Sequence, residues 1–224
     1  MKIYYGGHSS FMLESKGKIV LIDPFMMSEE MKALKPDIIA VTHGHDDHAG
    51  LAVDIAKQYN SPVIAVFELA NHFSSLGIAA IDGHIGGSID FDFGSIKFVN
   101  ALHGNSVSGK ETGNPCGFVI NMYDTVVYHA GDTGLFGDMK LISGQTPIDV
   151  FLCPIGDKYT MGVDDAVKAV ELVNPAIVVP MHYNTFPVIE QDPIDFKLKV
   201  SKSAPNTVVE ILKPGDAFAV NEEE

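Results

Sequence analysis

Thr42-His43-Gly44-His45-Asp46-Asp47-His48 puts three imidazoles and two carboxylates into seven consecutive residues, directly after the mostly apolar run Asp37-Ile38-Ile39-Ala40-Val41. Lys35-Pro36 bounds the run on one side and Gly44 on the other, and its unbroken hydrophobicity predicts a strand buried on both faces. A loop leaving the carboxyl end of such a strand is held rigidly. If the chain stays extended through His43 and His45, their side chains share one face with Cα atoms about 6 to 7 Å apart, so both can reach one ion. Beyond them Leu51, Ala52, Ile55 and Tyr59 recur at helical spacing and predict a helix over 48–59. That turn aims Asp47 and His48 away from the first pair. Two groups of metal-ligand residue types imply two metal ions.

Other candidate donors follow predicted strands. Asp23 ends the strand predicted over 18–22, His103 follows 95–100, Asp132 follows 125–128 in Ala130-Gly131-Asp132-Thr133, and His182 follows 177–181. Read singly, each has a plain explanation. Asp23 and Asp132 suit Asx-type turns, His182 suits a strand-end histidine bonded to backbone, and Ala-Leu-His-Gly-Asn around His103 says little.

Taken with the cluster, the pattern His-x-His-x-Asp-His resembles the metal-binding signature of the metallo-β-lactamase superfamily. Gly-His-Ser-Ser-Phe at 7–11 and the stretches 129–136, 154–162 and 182–187 resemble one branch, the metal-dependent hydrolases related to bacterial L-ascorbate 6-phosphate lactonase. The resemblance runs from Tyr5 to about Gly215. It implies an α/β fold, a four-layer αββα sandwich with the site along the open edge between two sheets. It also implies that His43, His45 and His103 bind one ion and Asp47, His48 and His182 the other. Asp132 would bridge both, and Asp23 would support a ligand histidine through its free ring nitrogen.

The implied chemistry is hydrolysis of a small ester, lactone or phosphodiester. Two divalent ions bridge a water and lower its pKa from 15.7 toward about 7, with Asp47 and Asp132 anchoring the ions and the resulting hydroxide. Zinc is the expected ion, and manganese, nickel, iron or cobalt also suit mixed imidazole and carboxylate ligation. His8, in Gly6-Gly7-His8-Ser9-Ser10, is readable as a turn histidine or as a third catalytic candidate that contacts substrate or supports a ligand, since the glycines let backbone approach the site. Asp157, Lys158, Asn184 and Thr185 are candidate substrate contacts on the rim. Asp46, His72 and His84 read as surface residues and His129 as a buried, hydrogen-bonded one. A di-iron oxidoreductase is the first alternative, but such relatives resemble this pattern with a glutamate where His45 stands. A non-catalytic metal-binding or ligand-sensing protein is the second.

The chain also says one thing twice. Residues 11–24 and 118–133 each read as strand, turn, strand and aspartate. Residues 36–41 leading to His43 parallel 147–152 leading to Gly156-Asp157, and an amphipathic helix follows each. The second helix, over 163–174, has Asp164 and Asp165 at its positive end and stops before Pro175. Two similar β/α halves follow from this. Residues 83–98, with Gly86-Gly87 and Gly94, read as short strands and turns forming a meander in the first half, and residues 222–224 as a frayed acidic tail.

At 46% hydrophobic, 224 residues suffice for one substantial core, and a single domain over 1–224 is expected. No apolar stretch approaches the roughly 20 residues that cross a bilayer, and residues 1–14 lack the pattern of a signal peptide. The expected location is cytoplasmic with no membrane partner. Cys116 and Cys153 lie in separate apolar segments and read as buried thiols, not a disulfide. The net charge of −14, with no arginine among the cations, disfavours nucleic acid and points to a small-molecule substrate with few cationic contacts. A homo-oligomer is left open.

Overall fold

The computed structural model describes residues 1–144 and 146–220, so the tail at 222–224 lies outside the described residues. The chain begins with β1 (Lys2–Gly7), β2 (Ser10–Ser15), β3 (Lys18–Ile22), the single-turn α1 (Glu29–Lys32) and β4 (Ile38–Ala40). It continues through α2 (Asp46–Ala49), α3 (Ala52–Tyr59), β5 (Val63–Val66), α4 (Phe67–Ser75) and β6 (Ala80–Gly83). Next come β7 (Ser88–Phe91), β8 (Gly94–Asn100), the small hairpin of β9 (Ser106–Val107) and β10 (Lys110–Glu111), then β11 (Cys116–Met122), β12 (Thr125–His129) and α5 (Met139–Ile142). The remainder is β13 (Val150–Pro154), α6 (Val163–Val173), β14 (Ile177–Met181), α7 (Pro193–Ser203), β15 (Val208–Val209) and β16 (Ala217–Ala219).

Two seven-stranded sheets result, ordered β16-β1-β2-β3-β4-β5-β6 and β15-β14-β13-β12-β11-β8-β7. Each has three antiparallel pairings followed by three parallel ones, so the hairpin β2–β3 answers to β11–β12, β4 to β13 and β5 to β14. The internal echo of the sequence is therefore a repeat of topology.

Side-chain alternation explains the layers. In the second sheet Val127, Val150, Leu152 and Val179 join the core shared with the first sheet, while Tyr128, Phe151, Cys153 and Val178 pack with Ala166 and Val170 of α6 and Phe196 and Val200 of α7. Ala52, Ile55 and Ala56 of α3 and Leu69, Ala70 and Phe73 of α4 are buried against the first sheet. The order helix, sheet, sheet, helix is the expected αββα sandwich. Cys116 and Cys153 are both buried free thiols. Among the described residues no helix is long and apolar enough to cross a membrane.

Two expectations change. The helix predicted over 48–59 starts earlier, at Asp46, and is broken between α2 and α3, where Leu51 N–H donates to the Pro24 carbonyl at 2.8 Å. The meander over 83–98 does not stay in the first half. Only β6 pairs in the first sheet; β7 and β8 form a hairpin of the second, because β8 matches β11 over all seven residues and buries Ile96 and Phe98. Gly94, at φ +139°, allows that pairing, since a Cβ there would collide with the Asn121 carbonyl.

Candidate metal centre

β1, β3, β4, β8, β12 and β14 all run toward one edge of the sandwich, so the residues just after them converge there. The arrangement starts at Asp23, fully buried after β3 with φ +46°. Its carboxylate accepts the Thr42 N–H at 2.8 Å and the Thr42 hydroxyl at 2.7 Å, and meets His48 Nδ1 at 2.7 Å. With Asp23 as acceptor, His48 carries a proton on Nδ1 and turns Nε2 into the cluster. Thr42 Oγ1 has given its proton to Asp23, so it accepts from His43 Nδ1 at 3.0 Å, and Nε2 of His43 is likewise freed. Ser10 hydroxyl donates to the Asp23 carbonyl and accepts the N–H groups of Phe25 and Met26, which secures the turn that holds the carboxylate.

Asn105 fastens the next loop to this one. Its side-chain oxygen accepts the Gly44 N–H at 2.8 Å and the Thr112 hydroxyl, and its amide donates to the Thr112 carbonyl. A Cβ on Gly44 would strike Val107, so glycine permits the approach. His129 donates from Nε2 to the Ser9 carbonyl at 2.9 Å and accepts the Gly131 N–H, fixing the turn before Asp132.

Three overlapping sets of donor atoms lie within 4.8 Å of one another: His43, His45 and His103; His8, Asp47, His48 and His182; and His43, His48 and Asp132. Asp132 stands between them. Its Oδ1 is 3.3 Å from His48 Nε2, and its Oδ2 is 3.0 Å from His182 Nε2 and 3.5 Å from His103 Nε2. Every residue predicted as a ligand is thus brought into one cluster. Among the described residues, buried side-chain atoms without a hydrogen-bond partner concentrate here: Nε2 of His8, His43 and His48 and Oδ1 of Asp132. Each such atom costs about 1 to 3 kcal/mol if left unsatisfied. Imidazole nitrogens and carboxylate oxygens with free lone pairs fit a divalent transition-metal ion.

Burial lowers His43 well below the ordinary imidazole range and also lowers His103, keeping both neutral, as ligation requires. Burial opposes charge on His48 too, but Asp132 and Asp23 outweigh it and raise that ring well above the ordinary value, so an ion binding at Nε2 would displace a proton from it. For Asp132, burial is overcome by His48 and His182, which hold the carboxyl well below its usual range. For Asp47, burial is overcome by the His8 and His48 imidazoles, and the pKa falls to about 2. The centre is therefore a pair of carboxylates inside a ring of imidazoles.

A cleft of about 240 Å³ opens on the cluster, lined by His45, Asp47, His103, Asp132, Tyr159 and His182. His8, Asp23, Asp157, His182 and Asn184 all adopt left-handed φ between 46° and 69°, a conformation costing roughly 1 to 2 kcal/mol for a residue with a side chain. Of the rim candidates, Thr185 contacts His8 Nδ1 through Oγ1 at 3.0 Å, while Asn184 spends its oxygen on the Gln191 N–H of its own loop. Lys158 lies over the Tyr159 ring, 5.4 Å from its centroid. Asp46 and His84 are exposed and His72 partly so. Thr42, Asn105 and Tyr159 are site residues that sequence reasoning missed. Thr42 adjoins the 43–48 cluster, Asn105 lies two residues after His103, and Tyr159 falls in the 154–162 stretch, which are the signals that mark them.

Residues 2–182 match the β-lactamase superfamily domain. The chain is 47% identical to a UPF0173 metal-dependent hydrolase of Desulforamulus reducens over 229 residues, covering 98% of this chain and 100% of that protein. It is 45% identical to a UPF0173 metal-dependent hydrolase of Bacillus cereus over 231 residues, with the same coverage, 98% and 100%. Among solved structures, Igni18, a metallo hydrolase of the hyperthermophilic archaeon Ignicoccus hospitalis, aligns with a TM-score of 0.89 at 36% identity, covering 98% of this chain and 99% of that one. With fold, donor cluster and sequence in agreement, the chain belongs to the β-lactamase superfamily, within its UPF0173 metal-dependent hydrolases.

Proposed function

We propose that the protein hydrolyses a small ester, lactone or phosphodiester using two divalent ions, zinc foremost, with manganese, nickel, iron and cobalt as substitutes. The observation that carries this reading is Asp132, whose carboxylate touches His48, His103 and His182 at once and so joins two donor sets. In this reading His43, His45 and His103 hold one ion, Asp47, His48 and His182 hold the other, and Asp132 contacts both. Bound there, the ions supply a Lewis acid and a water acidic enough to ionise near neutral pH. The chain does the positioning. Asp23 and Thr42 hold His48 and His43 in the tautomers that present Nε2, and Asp132 and Asp47 remain ionised to balance the cations.

The cleft of about 240 Å³ supports a small substrate, since pockets enclosing drug-sized ligands run from about 300 to 1,000 Å³. Tyr159, half exposed at the cleft, offers an aromatic wall, and Lys158 beside it is the candidate partner for an anionic group. The acidic, arginine-free chain argues against a nucleic-acid substrate.

The test is to strip the protein with chelator, reload it with measured zinc or manganese, and assay lactones, carboxylic esters and phosphodiesters. Turnover of one class should rise until about two equivalents are bound. Full activity at one equivalent, or no turnover of any class by the loaded protein, would count against the proposal.

A further inference from the structure

Four side chains, not three, converge on the Asp47 side of the cluster. His8 arrives from the turn between β1 and β2 with its side chain 0% exposed and Nε2 3.2 Å from Asp47 Oδ2. That nitrogen nevertheless has no hydrogen bond to any described residue. At that distance the nitrogen and the oxygen are placed as two donors around a common centre would be. The other side of the ring accommodates the tautomer a ligand needs. Nδ1 lies 3.0 Å from Thr185 Oγ1, a hydroxyl able to accept its proton and so leave the lone pair on Nε2, as outer partners of metal-bound histidines do. The backbone fixes the ring in place. His8 sits at φ +56°, and its carbonyl accepts the His182 N–H at 2.8 Å and the Tyr5 hydroxyl at 3.2 Å.

We propose that His8 is a fourth protein donor to the ion held by Asp47, His48 and His182. The proposal rests on the two-ion reading above. With His8 included, four side chains besides Asp132 would surround the ion on the Asp47 side, against three on the side of His43, His45 and His103. Both sets reach the cleft, His45 and His103 from one and Asp47 and His182 from the other, while His8, His43 and His48 are buried behind it.

The test compares His8→Asn with wild type by elemental analysis and by cobalt(II) titration followed in the visible spectrum. Asparagine tolerates the left-handed backbone and is too short to ligate. The variant should keep one equivalent and bind the second over 100-fold more weakly, beyond the roughly 10 to 100-fold that loss of an outer partner costs. Thr185→Val should stay inside that smaller range. Should His8→Asn fail to fold, cadmium-113-loaded wild type decides by NMR: scalar coupling between the metal and His8 Nε2 supports the donor role, and its absence overturns it. Wild-type affinity for both equivalents in folded His8→Asn also overturns it. A wild-type chain that saturates at one equivalent contradicts the two-ion reading instead, and whether His8→Asn then retains that ion still decides the role of His8.

Discussion

Asp37 precedes β4 and accepts the Ile19 N–H at 2.8 Å; Asp149 precedes β13 and accepts the Val126 N–H at 2.7 Å. At the other end of the same two strands the likeness stops. After β4 the chain presents His43, His45, Asp47 and His48 in one segment, whereas the loop after β13 contributes no donor and only brings Tyr159 to the cleft. The asymmetry reverses at the next pair, where β14 leads to His182 and β5 runs straight into α4. Even the helix ends repeat: Asn60 closes α3 and Asn174 closes α6, both with left-handed φ. The amino edge of the parallel strands is thus a duplicated support, and the carboxyl edge is where the two halves diverge to build one shared centre. Fold alone does not decide which strand end carries chemistry.

Substitutions at the two edges should separate accordingly. Asp132→Ala removes a side chain that touches both donor sets. Activity should fall by at least about 100-fold together with one metal equivalent, judged by turnover and elemental analysis on the same sample. A variant that kept both ions would break the claim that Asp132 joins the halves. Asp23→Asn should retain the fold and weaken metal binding by roughly 10 to 100-fold, because the neutral amide no longer holds the His48 Nδ1 proton as a carboxylate does. Unchanged affinity in a metal titration would reduce Asp23 to a turn residue. At the opposite edge, Asp37→Ala and Asp149→Ala should each cost about 1 kcal/mol in chemical denaturation with metal content unaltered. A loss of metal in either would show that the two edges are not independent. Asn60→Gly and Asn174→Gly should lie within about 0.5 kcal/mol of wild type, since glycine accepts the same helix-ending conformation.

The duplicated support was the more legible part of the sequence. Uninterrupted apolar runs before His43 and Gly156 marked parallel strands, and Pro175 after Asn174 marked where α6 ends. The 42–48 cluster was legible because its donors are adjacent. His103, Asp132 and His182 entered only through family resemblance, each being ordinary in its own surroundings. The rest depends on contacts between distant segments. The break at Gly50-Leu51 exists because Pro24 offers a carbonyl from another loop. The hairpin of β7 and β8 could have extended either sheet, and its long register with β11 decides the matter. Reading His8 as a residue beside the cluster missed its convergence with Asp47, His48 and His182, which only the left-handed turn after β1 produces.

The direct test of the shared centre is the number of metal equivalents per chain, measured by elemental analysis on protein stripped with chelator and reloaded with zinc. About two equivalents are expected, held jointly by the two halves. Saturation at one, or no uptake when zinc is supplied, would contradict it.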